Sequence, residues 1–320
     1  MSKKDSIIVI GANGQIGSVL VPALRHSFGN DNVLATDLKK PVIDNGRFEI
    51  LDALDAQRLA ELVDQYKVTQ IYLLAAILSA RGEADPLQTW RINMNCLFNA
   101  LEVAREKKIT KVFFPSTIAV FGKNVPKENT PQQVHLVPET VYGMTKVAGE
   151  NWCNYYFQRY GLDVRSLRYP GIIGYQSMPG GGTTDYAVDI YHKAILGEHF
   201  SCFLEPETRL PMMYMEDAIR ATLELMEAPA ELLQTRTSYN VSGMSFAPKD
   251  IAAAIQKIIP GFTISYEPDF RQAIAASWPA SINNLQAKKD WGWKPKYNLH
   301  SMTKDMINQL RKQYSEKNEK

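Results

Sequence analysis

A glycine-rich stretch, Gly11-Ala-Asn13-Gly14-Gln15-Ile16-Gly17, stands between an unbroken apolar run, Ile7-Ile8-Val9-Ile10, and a helical pattern over about 15–28. No other feature limits the possible folds as tightly. Gly11 can make a sharp turn without a Cβ penalty. Gly14 lets the backbone approach a bulky anion, and Gly17 lets the helix pack on the strand. The helix N-terminus then presents free N–H groups and positive dipole to whatever binds there. The spacing G-x-x-G-x-x-G is a variant of the dinucleotide fingerprint, in which a pyrophosphate rests on that helix end. A plain turn followed by a helix cap is the alternative.

The rhythm around this loop continues through the first half of the chain. Strand signals at 7–10, 33–36, 48–51, 71–75 and 111–115 alternate with helical patterns at 15–28, 55–65 and 87–106. Unbroken apolar strands are expected where helices cover both faces of a sheet. Such alternation predicts an α/β, Rossmann-type, doubly wound parallel sheet. We expect it over 1–172, with a smaller C-terminal α/β lobe over 173–320. Helices are expected near 187–196, 216–227, 248–259 and 301–314, with strand-like segments at 238–241 and 263–266. Candidates at 164–168 and 238–241 could rejoin the main sheet. The mixed polar stretch 312–320 reads as a frayed end.

Composition excludes several classes. With 45% hydrophobic and 22% charged residues, the 320-residue chain is not disordered or fibrous. Thirty-six basic against 34 acidic residues give a net +2, and no basic block exceeds a pair such as Lys39-Lys40. A nucleic-acid binder is therefore not expected. Cys96, Cys153 and Cys202 are too scattered for a disulfide framework or zinc knuckle. The five histidines form no ligand-spaced cluster, so no metal is expected. The longest apolar run, residues 71–78, is far short of a membrane span. The opening M-S-K-K-D-S leaves no room for a signal peptide, so the expectation is cytoplasmic, or the mitochondrial matrix if a transit segment was removed.

Asp37 ends the second strand about 20 residues past the glycine loop, where a carboxylate can bond the ribose hydroxyls of a dinucleotide. It would repel a 2′-phosphate, which favours NAD over NADP, although Lys39 and Lys40 lie close by. A turn-capping role is the alternative. Asp52 and Leu54, after the third strand, could meet the adenine, or Asp52 could cap the next helix.

Tyr142 and Lys146 are four apart at an expected helix start and so share a face. A nearby ammonium favours a tyrosinate and would lower a phenol pKa from its ordinary value near 10. Ser116 or Thr117, at the end of the fifth strand, could orient a substrate hydroxyl.

The order of glycine loop, Asp37, Ser116-Thr117 and Tyr142-x-x-x-Lys146 resembles the extended short-chain dehydrogenase/reductases over nearly the whole chain. That resemblance implies NAD-dependent hydride transfer, with Tyr142 as general base, Lys146 on the cofactor ribose and Thr117 as strand-end hydroxyl. It also puts Gly11, Asn13, Gly14, Gln15, Ile16, Gly17, Asp37, Asp52 and Leu54 on cofactor positions. Leu74, Ala75, Ala76, Tyr169 and Pro170 join them, the last two beside the nicotinamide. A homodimer through the Tyr142 helix and its neighbour is implied as well.

Within that family, Arg168-Tyr-Pro-Gly-Ile-Ile-Gly174 departs from the Arg-Tyr-Phe-Asn-Val-Tyr-Gly of sugar-nucleotide enzymes. The segments 178–190, 210–221 and 277–282 are similar to the branch that oxidises L-threonine at C3. This implies a small amino acid held by Ser79, Ser116, Thr117, Tyr142, Gly182, Thr183, Thr184 and Trp278. Thr183 and Thr184 could instead cap the next helix, and Trp278 could be plain core. A sugar-nucleotide epimerase or dehydratase, with Arg209 and Arg220 serving a diphosphate, is the rival. A non-catalytic NAD-binding regulator is a more distant one.

Overall fold

The computed structural model describes residues 5–41, 46–178 and 180–318. Its first half runs β1 (Ile7–Ile10), α1 (Gly17–Phe28), β2 (Val33–Asp37), β3 (Phe48–Ile50), α2 (Ala56–Tyr66), β4 (Gln70–Leu73), α3 (Ser79–Gly82), α4 (Pro86–Glu106), β5 (Lys111–Thr117), α5 (Val141–Tyr160) and β6 (Asp163–Tyr169). The second half runs β7 (Gly171–Ile173), α6 (Tyr186–Leu196), β8 (Phe200–Cys202), β9 (Leu210–Tyr214), α7 (Met215–Glu227), β10 (Tyr239–Asn240), β11 (Met244–Phe246), α8 (Pro248–Gln256), β12 (Ile264–Tyr266), α9 (Phe270–Ser277), α10 (Leu285–Trp291) and α11 (Leu299–Asn318).

Seven strands form one parallel sheet in the order β10-β6-β5-β4-β1-β2-β3. β1 shows why its strands are apolar throughout. Ile7 and Val9 pack with Leu20 and Leu24 of α1 and with Ala218 and Leu225 of α7. Ile8 and Ile10 point the other way, into Leu59 and Leu62 of α2 and Leu97 and Leu101 of α4. Successive side chains serve opposite faces, and both faces are dry. The strand order reverses between β4 and β1, so a crevice opens at their carboxyl ends.

The segment at 238–241 does rejoin the sheet: β10 pairs with β6, Tyr239 opposite Leu167. Two small sheets lie beyond it, β11-β9-β7 and β12-β8. The sequence reading missed β7, β8, β9 and β11, and the short α9 and α10. These strands have three residues, or five with a proline in β9, too few to show a period. The frayed end was also misread. Helix α11 continues to Asn318, with Tyr314 packed against the second core; residues 319–320 lie outside the described ones. Among the described residues, no helix is long and apolar enough to cross a membrane.

Candidate active site

A groove of about 650 Å³ and a smaller cleft of about 160 Å³ meet at the crevice, sharing Leu74 and Ala76. The glycine loop forms one wall of the groove. Gly11 has φ +89°, and a β-carbon there would lie 2.7 Å from the Ala75 nitrogen. A β-carbon on Gly17 would lie 2.5 Å from the Gly11 carbonyl oxygen, so Gly17 lets α1 begin directly against the loop. Gly17 lines neither the groove nor the cleft. Among the described residues nothing accepts a bond from the Gln15 and Ile16 N–H groups, which sit just before the first turn of α1. A tight backbone cradle with free donors at a helix N-terminus fits a dinucleotide pyrophosphate.

Asn13, Gly14, Asp37, Asp52, Leu54 and Ala75 all line the groove. Asp37 takes the turn-capping role left open for it while lining the groove. Its carboxylate faces the groove and also accepts bonds from the Asn13 N–H (2.9 Å) and the Leu38 N–H (2.7 Å). Asp52 does not cap α2. That cap is Asp55, which accepts from the Arg58 N–H at 2.9 Å, while Asp52 accepts from the Leu54 N–H and closes a local turn.

The cleft gathers the remaining candidates: Gln15, Ile16, Ser79, Ser116, Thr117, Tyr142, Lys146, Tyr169, Pro170, Gly182, Thr183, Thr184 and Trp278. Tyr142 is the second residue of α5, whose first turn is capped by the Thr140 hydroxyl accepting from the Gly143 N–H at 3.0 Å. Lys146, on the next turn, donates to the Pro115 carbonyl at 2.6 Å and lies 5.6 Å from the Tyr142 ring centroid. Burial raises the Tyr142 phenol to about 12, opposed by a hydrogen bond with Thr117. Burial also brings Lys146 down to about 8. The phenol is thus pushed up rather than down, because desolvation outweighs the Thr117 bond.

Two further expectations change. Ser116 faces the cleft wall but donates its hydroxyl to Glu150 at 2.6 Å, so its proton is committed to the protein. Neither Thr183 nor Thr184 caps α6; its N-cap is Asp185, which instead accepts from the Gly182 N–H at 2.7 Å and folds the glycine turn back. Thr183 is 1% exposed, and its hydroxyl has no partner among the described residues. Pro179, in the same turn, lies outside the described residues. Trp278 is both core and cleft wall. The Tyr169 hydroxyl is tied to Thr222, so only its ring is offered to the cleft.

Sequence reasoning missed Asn93, Arg81 and Glu150. Asn93 on α4 accepts from the Ile77 N–H (2.8 Å) and donates to the Ile77 carbonyl (3.0 Å), fixing the wall after β4. Asn95 and Asn99 stand in the same helical stretch, so nothing in the sequence singles Asn93 out. Arg81 lines the groove. Arg209 and Arg220, the rival's diphosphate ligands, are occupied elsewhere by Asp250 and by Asp217 and Glu224. No group of three or more metal-ligating side chains occurs among the described residues.

The NAD-dependent epimerase/dehydratase family model matches residues 7–242. The chain belongs to that family. Its cofactor is accordingly NAD, which the groove fits. An uncharacterized epimerase/dehydratase of Staphylococcus aureus is 48% identical over 317 residues, 98% of each chain. The holo L-threonine dehydrogenase of Cupriavidus necator is 53% identical with a TM-score of 0.94, covering 95% of this chain and 99% of that one. The L-threonine dehydrogenase of Clostridium difficile is 46% identical, also at 0.94, covering 97% and 98%. At 46–53% identity over nearly its full length, this epimerase/dehydratase-family chain is similar to solved L-threonine dehydrogenases.

Proposed function

We propose that this enzyme oxidises L-threonine at C3 to 2-amino-3-oxobutanoate. The observation that carries the reading is the Thr183 wall. A buried hydroxyl without a partner among the described residues lines the same small cleft as Tyr142, in a chain about half identical to L-threonine dehydrogenases. The cleft is a fraction of the groove's volume, which suits an amino acid rather than a nucleotide-linked sugar.

Gly11, Gly14, the Gln15 and Ile16 N–H groups, and Asp37 would hold the dinucleotide, with Lys146 on its nicotinamide ribose. When bound, NAD supplies the hydride acceptor for C3. Thr117 orients the β-hydroxyl, and Tyr142 takes its proton. Thr183 and Thr184 meet the polar end of the amino acid. Trp278, with the glycine turn at 180–182, excludes water around it, which strengthens each polar contact. Lys146, bonded to Pro115, stays positive beside the phenol and favours its ionised form.

The test is NADH absorbance with L-threonine and, separately, UDP-glucose. L-threonine should be turned over and UDP-glucose should not. Tyr142→Phe should lower kcat about 10²–10⁴-fold while leaving NAD affinity within a factor of about three. Normal turnover in that variant would remove Tyr142 as the base.

We also propose a homodimer through α4 and α5. Phe98, Trp152, Tyr155 and Tyr160 form a chain of edge-to-face rings there, and Trp152, Tyr155 and Tyr160 remain 39–47% exposed. A second copy would cover this face by two-fold symmetry. Light scattering giving one-chain mass at micromolar concentration would reject it.

A further inference from the structure

Three consecutive residues at the end of β5 face successive turns of α5. Thr117 shares the cleft with Tyr142, the Pro115 carbonyl accepts from Lys146, and Ser116 donates to Glu150. Tyr142, Lys146 and Glu150 are spaced by four and lie on one helix face. A β-carbon on Gly149 would lie 2.6 Å from the Phe114 ring, so that face sits tightly on the strand.

Glu150 has no role in the chemistry described above, yet it is 2% exposed and fully engaged. Its Oε1 accepts from Ser116 Oγ at 2.6 Å and from Arg168 Nε at 2.9 Å; its Oε2 accepts from Arg168 Nη2 at 2.7 Å. The remaining Arg168 nitrogen donates to the Gln132 carbonyl (3.0 Å) and to the Asn240 amide oxygen (3.1 Å). A buried ion pair is a poor device for stability alone, because desolvation offsets most of its attraction. This one lies between the strand end and the helix that carry the reacting groups.

We propose that Glu150 is a positioning residue of the reaction. Through Ser116 it fixes the end of β5 against α5, and its negative charge keeps the buried Lys146 protonated. The proposal rests on the function proposed above. The groups acting on the Lys146 ammonium are Cys153 and Glu150 of α5 and Cys96 of α4. Tyr142 stands beside it on α5, and Arg168 of β6 stands behind Glu150. From β5 the Phe114 ring and the Pro115 carbonyl meet it. Burial raises both thiols above their usual range, so they stay neutral near pH 7. Among these groups Glu150 is the anion.

The experiment uses the full chain loaded with NAD. The kcat for L-threonine is followed from pH 6 to 10 in wild type, Glu150→Gln and Glu150→Asp. In parallel, the protein without substrate is titrated by side-chain NMR of labelled lysines, with Lys146 assigned from Lys146→Met. Glu150→Gln should shift the alkaline limb of kcat, and the Lys146 midpoint, down by about one pH unit, a tenfold change in the proton equilibrium. Glu150→Asp keeps the charge and should restore both. If kcat instead falls by one factor at every pH while limb and midpoint stay, Glu150 is merely structural and the proposal is overturned. Should Glu150→Gln fail to fold, the pair Glu150→Met with Arg168→Met avoids an orphaned guanidinium. A wild-type pH profile and Lys146 midpoint there would equally overturn it. If wild type turns over no L-threonine, the substrate reading fails, while the NMR titration still decides whether Glu150 holds the Lys146 proton.

Discussion

Alanine at Gly11 and alanine at Gly14 should damage the protein in different ways, although both sit in one loop. At Gly11 the new β-carbon would lie 2.7 Å from Ala75 N, 3.0 Å from Ala75 Cα and 3.1 Å from Leu74 C. All three are backbone atoms and cannot swing aside. The left-handed φ of +89° costs an L-residue about 1–2 kcal/mol. Overpacking adds about 1–3 kcal/mol. The strain has no easy outlet. Gly11 and Ala12 both donate to the Thr36 carbonyl at 2.9 and 3.0 Å, and Leu74 and Ala75 both donate to the Ile10 carbonyl at 2.8 and 3.0 Å. The sum, about 2–5 kcal/mol, corresponds to a Tm loss of roughly 4–10 °C at the low sensitivity of a chain this large. At Gly14 the only atom within 4 Å of a new β-carbon is the Gly11 carbonyl oxygen at 3.4 Å. The methyl group would occupy open groove. Gly14→Ala should therefore keep the Tm without NAD within about 2 °C of wild type, yet weaken NAD at least about tenfold, or 1.4 kcal/mol. Scanning fluorimetry with and without NAD, together with calorimetric titration of NAD, separates the two. A Gly14→Ala protein as unstable as Gly11→Ala, or a Gly11→Ala protein with unchanged Tm, would refute the steric argument.

Thr183→Val deletes a buried hydroxyl without a partner, so Tm should hold or rise while the KM for L-threonine increases about tenfold or more; an unchanged KM would show that Thr183 does not meet the substrate. Asp37→Asn removes the carboxylate that faces the groove, so the ratio of kcat/KM with NAD to that with NADP should fall about tenfold or more; an unaltered ratio would assign discrimination elsewhere. Lys146 titrates near 8 in the folded chain, against about 10.4 when unfolded. Between those values the unfolded chain binds more protons, so this residue adds stability as the pH rises from 8 to 10, and its burial penalty is present in full below 8. Lys146→Met should flatten that slope in urea titrations; parallel slopes would contradict the burial argument.

The parts of this protein legible in sequence were those with a repeated or dense signal. The strands β1 to β6 are read from runs such as Ile7-Ile8-Val9-Ile10, because two helix-covered faces demand apolar residues without alternation. The glycine loop and Tyr142-x-x-x-Lys146 are local spacings, and local spacings survive folding. What stayed hidden depends on distant partners. Ser116 is legible as a cleft residue, but not the bond its hydroxyl donates to Glu150, 34 residues away. Asp52 and Asp55 are equivalent in sequence, and only the path of the chain decides that Asp55 caps α2. The segment 238–241 is legible as a strand candidate for the main sheet, while the packing of Tyr239 against Trp291 and its bond to Asp290 are not. The direction of the Tyr142 shift was also out of reach, since a helical spacing reports a neighbouring charge but not the water removed around it.

That shift sets a quantitative condition on the chemistry. A phenol raised to about 12 must come down by about five units to act as a base near neutral pH, which amounts to about 7 kcal/mol. Lys146 lies 5.6 Å from the ring centroid. The raised phenol value is reached with Lys146 already at this distance, so the lysine does not count again. One further cation at a similar distance supplies about 3 kcal/mol at an effective dielectric constant of about 20, and more where a bound ligand excludes water. Among the described residues lining the cleft, Lys146 is the only lysine or arginine. The missing charge therefore has to arrive with a ligand, and the positive nicotinamide of oxidised NAD is a cation of the required kind. On this reasoning the phenol stays protonated in the empty enzyme and in the enzyme holding NADH, and ionises when NAD is bound. Ultraviolet difference spectra of wild type against Tyr142→Phe should then show a tyrosinate band at pH 8 with NAD and none with NADH. Equal bands in both states would mean that the protein alone makes up the difference.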